Sequence, residues 1–356
     1  MKKLYISCVS LSYGGAERVL SILSRPFAAN FSEVRLFMWK DFPVFYNVDP
    51  RVKVINIEKE CASKNIIQKM LWFRNIIATD KPNVILSFLA NSSVKVILST
   101  LGLSARIIAA ERNDPRKLKG GWPMIWFRDF LYNYVSGIVE QTDSNRSYFK
   151  GCKLNKTKVI YNPILMNEKD IGLGLKTTKK QIIVTIGRLE HQKNHRLLIK
   201  AFQRVHILFP EVKLIIYGEG SYRKSLESLI DKEGLGDCIS LPGITNDVFS
   251  VLKEARMFVL SSDYEGMPNA LIEAMCVGVP CISTKVSGAI DLIKQDINGL
   301  LVDVGNADEL TASMSELILN EGKCYKLANE AVKVYDQLKV EVVSKQWVDY
   351  INSFMV

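Results

Sequence analysis

The stretch that most limits what this chain can become runs from Ala255 to Pro280. Ala255 to Leu260 reads as a buried strand, and Glu265-Gly266-Met267-Pro268-Asn269 follows as a tight turn. Pro268 suits the first position of a helix, where a missing N–H costs nothing. Ala270, Leu271, Ile272, Ala274 and Met275 continue that helix, and Gly278 with Pro280 stops it. Strand, turn and helix in succession form the unit of a parallel sheet covered by helices. Such a turn gathers backbone N–H groups and the positive end of a helix dipole, which makes an anion site. Two carboxylates flank it, Glu265 in the turn and Glu273 on the helix. An acid beside an anion site is unfavourable unless it binds something neutral, and sugar hydroxyls qualify. The turn is therefore expected to hold a sugar nucleotide, with Glu273 on the ribose and Glu265 on the transferred sugar. The plainer alternative is an amphipathic helix with one Glu at its solvent edge.

The same plan recurs along the chain. Leu4 to Val9 reads as a strand, and Tyr13-Gly14-Gly15-Ala16-Glu17-Arg18 as a glycine turn opening a helix. Further strands are expected at Val34–Trp39, Val52–Ile57, Val84–Phe88, Arg106–Ala110 and Gly137–Gln141, with helical stretches between several of them. Lys158 to Pro163 closes a first domain, and 164–180 reads as a linker. Strands resume at Gln181–Ile186, Val212–Tyr217, Ile239–Thr245 and residues 277–284, and helices fill 306–356. A chain of 356 residues is too long for one typical core. The expected class is α/β, with two Rossmann-like domains at 1–163 and 164–340 and a final helix at 341–356. Ligands of such sheets sit at the carboxyl ends of the strands. Arg188 and Lys193 place two cations at one such end, where a diphosphate would fit. Glu111, Arg112 and Asn113 put polar residues at another, although Asn-Asp-Pro is also an ordinary turn signal.

Charge is unevenly placed. Residues 1–163 carry 25 Lys+Arg against 12 Asp+Glu, whereas 164–356 carry 22 against 25. This asymmetry points to a polyanionic surface met by the first half alone. Two stretches there mix cations with large apolar side chains. Lys64 to Ile77 sets Ile66, Ile67, Met70, Leu71 and Phe73 beside Lys64, Lys69 and Arg74. Arg116 to Val135 holds Lys117, Lys119, Trp122, Trp126, Arg128, Phe130 and Tyr132. Rings at headgroup depth with cations on anionic lipid suit a membrane interface. No helix-turn-helix, zinc or RNA-recognition signature supports nucleic acid as the partner. The chain has no run of eighteen apolar residues, so no spanning segment is expected. Met1-Lys2-Lys3 and the apolar run after it read as a first buried strand in preference to a signal peptide. Seven scattered cysteines suggest free thiols in a reducing cytoplasm. His191, His195 and His206 lack ligand spacing, so no metal site is expected.

Four motifs occur in order: Gly187-Arg188-Leu189-Glu190 with Gln192-Lys193-Asn194, Tyr217-Gly218-Glu219-Gly220, Leu241-Pro242-Gly243-Ile244-Thr245, and Glu265 to Ala274. Gly14-Gly15-Ala16-Glu17 stands near the start. In these the chain resembles the retaining glycosyltransferases of the GT-B fold, family four (glycosyltransferases group 1), of bacterial surface-polysaccharide type. The motifs are strong in the second half and looser in the first. The resemblance implies two Rossmann-like domains facing each other across a cleft, with the final helix crossing back to the first. It implies that Arg188, Lys193 and Glu265 serve catalysis, the two cations on the diphosphate. Gly15, Gly187, Ile244, Gly266, Met267, Pro268, Asn269 and Glu273 would hold the donor, and Glu111, Arg112 and Asn113 the acceptor. The donor would be a UDP-sugar carrying a hexose or N-acetylhexosamine, with no metal and no further cofactor. The acceptor would be a polyprenyl-diphosphate-linked glycan, met on the inner face of the cytoplasmic membrane by a peripheral enzyme. One departure stands out: many relatives place a histidine in the first domain, and residues 1–163 contain none. A non-catalytic partner subunit and a sugar-nucleotide epimerase are the alternative readings.

Overall fold

The computed structural model describes residues 2–118 and 120–355, so Met1 and the expected surface cation Lys119 lie outside the described residues. The chain divides into two compact units, Met1–Leu165 with Leu338–Val356, and Met166–Gln337.

The first unit carries a seven-stranded sheet: β1 (Lys3–Cys8), β2 (Glu33–Met38), β3 (Lys53–Asn56), β4 (Val84–Phe88), β5 (Ile107–Ala110), β6 (Gly137–Glu140) and β7 (Thr157–Val159). Every pairing is parallel, in the order β3-β2-β1-β4-β5-β6-β7. The strands read as short apolar runs because both faces are covered; all five residues of β4 are buried. Alternation along β1 feeds two cores. Leu4, Ile6 and Cys8 join Leu36, Leu86 and Ile108 on one face, while Tyr5 joins Phe37, Ile85 and Ile107 on the other. The Val340–Asn352 helix belongs to this unit. Its Trp347 is fully buried and stacks on Phe88 at 5.9 Å, with Phe27 at 6.5 Å.

The second unit repeats the plan with β8 (Ile182–Ile186), β9 (Lys213–Tyr217), β10 (Ile239–Gly243), β11 (Met257–Leu260), β12 (Cys281–Thr284) and β13 (Leu300–Val302). The order β10-β9-β8-β11-β12-β13 is again wholly parallel. In both sheets the winding reverses beside the first strand, between β1 and β4 and between β8 and β11. Those two points are where an open parallel sheet offers a crevice.

Three local expectations are corrected. The helix after β11 spans Asn269–Val277, and Pro268 is its extended N-cap, not its first residue. Residue 277 is still helical, Gly278 ends the helix at φ +81°, and the next strand starts at Cys281. The segment read as a linker is packed: Gly172 N donates to Cys276 O at 2.9 Å.

Candidate functional site

The loops after β8 and β11 are tied together by side chains that the motifs supply. Asn194 adopts φ +43°, a conformation Asn tolerates, and its Oδ1 accepts from Leu197 N to cap the His195–Leu208 helix. Its Nδ2 donates to Asp263 Oδ1 at 2.7 Å, and Asp263 N donates to Gln192 O at 2.9 Å. Ser261 Oγ donates to Lys193 O at 3.0 Å. The loop that carries the cations is thus clamped to the loop that carries Glu265.

Glu265 is 7% exposed, and its carboxylate is well supplied with donors. Lys193 Nζ lies 2.6 Å from Oε1, Ser262 Oγ donates to the same oxygen at 2.6 Å, and Gln192 Nε2 reaches Oε2 at 3.3 Å. Ser262 is positioned in turn, since Thr284 Oγ1 on β12 donates to its carbonyl at 2.6 Å. A half-buried ion pair with this many hydrogen bonds is held in one geometry. Arg188 behaves differently. Its guanidinium is exposed and makes no hydrogen bond or ion pair among the described residues. Its charge acts on Tyr264, whose hydroxyl is pushed to higher pKa by burial and by Glu265 while Arg188 opposes both.

Arg188 is fixed through its backbone. The Nε2 of His195 lies 3.3 Å from Arg188 O. Burial, with Lys193 adding to it, lowers the His195 pKa to about 4, so the ring is neutral at pH 7 and Nε2–H donates. Close packing of the second motif completes the loop. A Cβ at Gly218 would lie 1.9 Å from Gly187 O, and one at Gly220 2.4 Å from Leu189 O, so only glycine lets these segments meet. Gly187 itself lies against the Lys193 side chain.

The turn from Gly266 to Pro268 is buried, Asn269 is half-buried, and Glu273 is 3% exposed on the helix that follows. Gly288 holds the turn from behind, since a Cβ there would lie 2.4 Å from Gly266 O. Ile244 is exposed just past β10. Thus Gly187, Arg188, Lys193, Glu265 and Gly266 stand at the carboxyl ends of the two strands that flank the reversal.

The first unit's strand ends are built from buried charge. Glu111 and Arg112 follow β5 and are 4% and 8% exposed. Glu111 accepts from Tyr132 Oη, and Arg128 Nη1 lies 3.7 Å away. Burial raises the Glu111 pKa against the pull of Arg128. Burial alone would lower that of Arg128, but Glu111, Tyr132 and Asp129 outweigh it. Glu140, at the end of β6, is pushed well up, first by burial and then by Glu111. Arg112 lies over the Phe88 ring, 5.3 Å from its centroid, and donates to Asn162 Oδ1. Burial lowers its pKa to about 9 while Glu140 and Glu17 oppose. Asn113 is half-buried and accepts at its carbonyl from Asn145 Nδ2 at 3.3 Å. Leu89 at the end of β4 holds φ +72°, a strained value for a branched residue. Gly15 begins the first helix, whose Gly14 N-cap has no side chain to cover it.

The expected membrane face is revised. Arg128 is fully buried, and Lys69 is 5% exposed and paired to Glu58 at 2.6 Å, so neither reaches a surface. Arg74 turns inward to the carbonyls of Ser99 and Leu101. Phe73 and Tyr132 are core residues. What remains exposed is an aromatic row at four-residue spacing: Trp122, Trp126, Phe130 and Tyr134. Ile66, Ile67 and Leu71 of the other stretch are exposed too, as are Lys64, Arg116 and Lys117. No helix among the described residues is long and apolar enough to cross a membrane.

Sequence reasoning marked Lys193 and Glu265 but missed their supports, Gln192, Ser262, Asn194 and Asp263. The Gln-Lys-Asn run in the motif was the available signal. It also missed Arg128, Tyr132 and Glu140 as partners of Glu111, for which no local pattern exists.

Residues 167–334 match the family model described as glycosyl transferases group 1. The chain is 28% identical, over 99% of its own length and 98% of the other's, to the GalNAc-alpha-(1->4)-GalNAc-alpha-(1->3)-diNAcBac-PP-undecaprenol alpha-1,4-N-acetyl-D-galactosaminyltransferase of Campylobacter jejuni. It is 24% identical to the amylovoran biosynthesis glycosyltransferase AmsD of Erwinia amylovora, over 99% of this chain and 100% of that one. Among solved structures, Anabaena HepE in complex with UDP and glucose superposes with a TM-score of 0.83 at 19% identity, covering 99% of this chain and 100% of that one. These likenesses show a two-domain α/β fold of the GT-B kind.

Proposed function

We propose, for a chain whose residues 167–334 belong to the glycosyl transferases group 1 family, that it is a retaining, metal-independent glycosyltransferase. In this reading it moves a hexose or N-acetylhexosamine from a UDP-sugar to a polyprenyl-diphosphate-linked glycan in surface-polysaccharide assembly. The observation that carries the reading is the gathering of Arg188, Lys193 and Glu265 at the strand ends beside the β8–β11 reversal. The Campylobacter relative, named for a PP-undecaprenol-linked substrate, supports the acceptor class. HepE, solved with UDP and glucose, supports the donor class.

Breaking a glycosyl–phosphate bond leaves two phosphates with growing negative charge. The Arg188 guanidinium, uncommitted to any carboxylate, is available to that charge, and His195 keeps its backbone in place. Lys193 is neutralised by Glu265 before donor arrives, so phosphate entering the site would share its ammonium. Glu265, still fed by Ser262 and Gln192, would then take the hydroxyls of the sugar. Glu273 would take the ribose, Gly187, Ile244 and Gly266 to Asn269 would line the donor, and Gly15 would meet the phosphates. Glu111 and Arg112 would shape the acceptor end from beneath, with Asn113 nearer the surface.

The aromatic row of Trp122, Trp126 and Phe130, with Arg116 and Lys117, would rest on anionic lipid at the inner face of the cytoplasmic membrane. The test is release of UDP from a panel of UDP-sugars by purified protein. Release that depends on added polyprenyl-diphosphate-linked acceptor supports the reading. Acceptor-independent turnover would point to an epimerase or hydrolase, and binding without turnover to a partner subunit.

A further inference from the structure

The second unit contains a cavity of about 360 Å³ at the opposite end of its sheet from the Lys193–Glu265 pair. Lys179 and Gln181 lead into β8, Arg256 precedes β11, and Pro280 precedes β12, so the cavity lies at the amino ends of these strands. Its volume is that of a small-molecule site.

The charges in its wall do not balance. Arg256 is buried and its charge is matched: Nη1 lies 2.9 Å from Glu321 Oε1, Nη2 donates to the carbonyls of Leu317 and Ile318, and Nε alone makes no hydrogen bond among the described residues. Glu321 is thereby taken. Lys179 is half-buried, donates to Lys253 O at 2.9 Å, and forms no ion pair among the described residues. Burial lowers its pKa to about 8, the mark of an ammonium short of a counter-charge. The remaining wall mixes the polar Thr177, Thr178 and Gln181 with the apolar Leu175, Pro280, Cys324 and the ring of Tyr325.

We propose that this cavity binds a small organic carboxylate, its head on Lys179 and its apolar body against Leu175, Pro280, Cys324 and Tyr325. A single uncommitted cation matches a monoanion; a phosphate dianion would bring one charge without a partner. The ligand would also brace residues 174–181, the segment that leads into β8.

The test uses the intact protein and 3-phenylpropionate as probe, with 3-phenylpropanol as its neutral analogue and inorganic phosphate as a bare anion. At pH 8 a lysine near pKa 8 is about half neutral, so an amine-selective acylating reagent should label Lys179 roughly tenfold faster than ordinary surface lysines, as read by peptide mass spectrometry. At ten times its Kd, 3-phenylpropionate should slow that labelling roughly tenfold. The alcohol and phosphate should not. Calorimetry should show binding lost in Lys179→Gln and kept in Lys193→Ala, which separates this site from the donor site. Labelling at the surface rate, equal protection by the alcohol or by phosphate, or binding unchanged in Lys179→Gln would each overturn the proposal. The labelling arm needs no variant to fold.

Discussion

The two sheets share a winding plan but treat charge at their carboxyl ends in opposite ways. In the first unit Glu111, Arg112, Arg128, Tyr132 and Glu140 are all buried; Glu111 is engaged by Arg128 and Tyr132, while Arg112 Nε and Nη1 and both carboxylate oxygens of Glu140 make no hydrogen bond among the described residues. In the second, Arg188 is exposed and Lys193 is half-buried against Glu265. Burial makes the first network a structural element whose loss is felt in stability. Exposure leaves the second available to a ligand, so its loss should be felt in rate. Charge location, and not charge type, separates the two roles.

Removing one member of the buried set is expected to have the largest effect. Arg128→Met leaves Glu111 with no cation and should cost about 3–5 kcal/mol in urea unfolding. The double variant Arg128→Met/Glu111→Gln should recover much of it; a single variant as stable as the parent would break the contrast. Lys193→Ala is expected to lower kcat/KM by about 10²–10³, with a smaller loss of stability than Arg128→Met because Ser262 and Gln192 still donate to Glu265. A loss of stability in place of rate would make Lys193 structural and erase the difference between the units.

His195 sharpens the comparison through pH. Its folded pKa of about 4 lies below the unfolded value, so the unfolded chain binds the extra proton between pH 6.5 and 4. Stability should therefore fall as pH is lowered through that window, by on the order of 3 kcal/mol. His195→Asn should flatten the profile measured by denaturation at stepped pH. The smallest effects belong to the surface. Arg116→Gln and Lys117→Gln should each weaken sedimentation with anionic vesicles by about 1 kcal/mol, without changing turnover of a soluble acceptor analogue.

Much of the fold was legible because its strands are short apolar runs bounded by glycine turns. Val84–Phe88 was read to the residue, and most other ends fell within two. The miss at 277–284 has a simple cause: Val277 and Val279 favour strand by type, yet Gly278 in the left-handed region places the helix end between them. The amphipathic reading of the first half failed at Arg128 and Lys69 for another reason. A cation's position on a helix does not reveal that an acid from elsewhere in the chain waits to pair with it. For Lys69 that acid is Glu58, and for Arg128 it is Glu111, seventeen residues back along the chain.

By itself the amino-acid order determined the strand–turn–helix rhythm, the parallel class and the places where glycine must stand. These depend on neighbours a few residues away, and periodicity records them. Only tertiary structure decided that Lys193 meets Glu265, that Arg112 lies buried over Phe88, and that Lys179 faces a cavity whose acid, Glu321, is paired to Arg256. Ion pairing and desolvation depend on which distant atoms share a space, and nothing in local spacing encodes that distance.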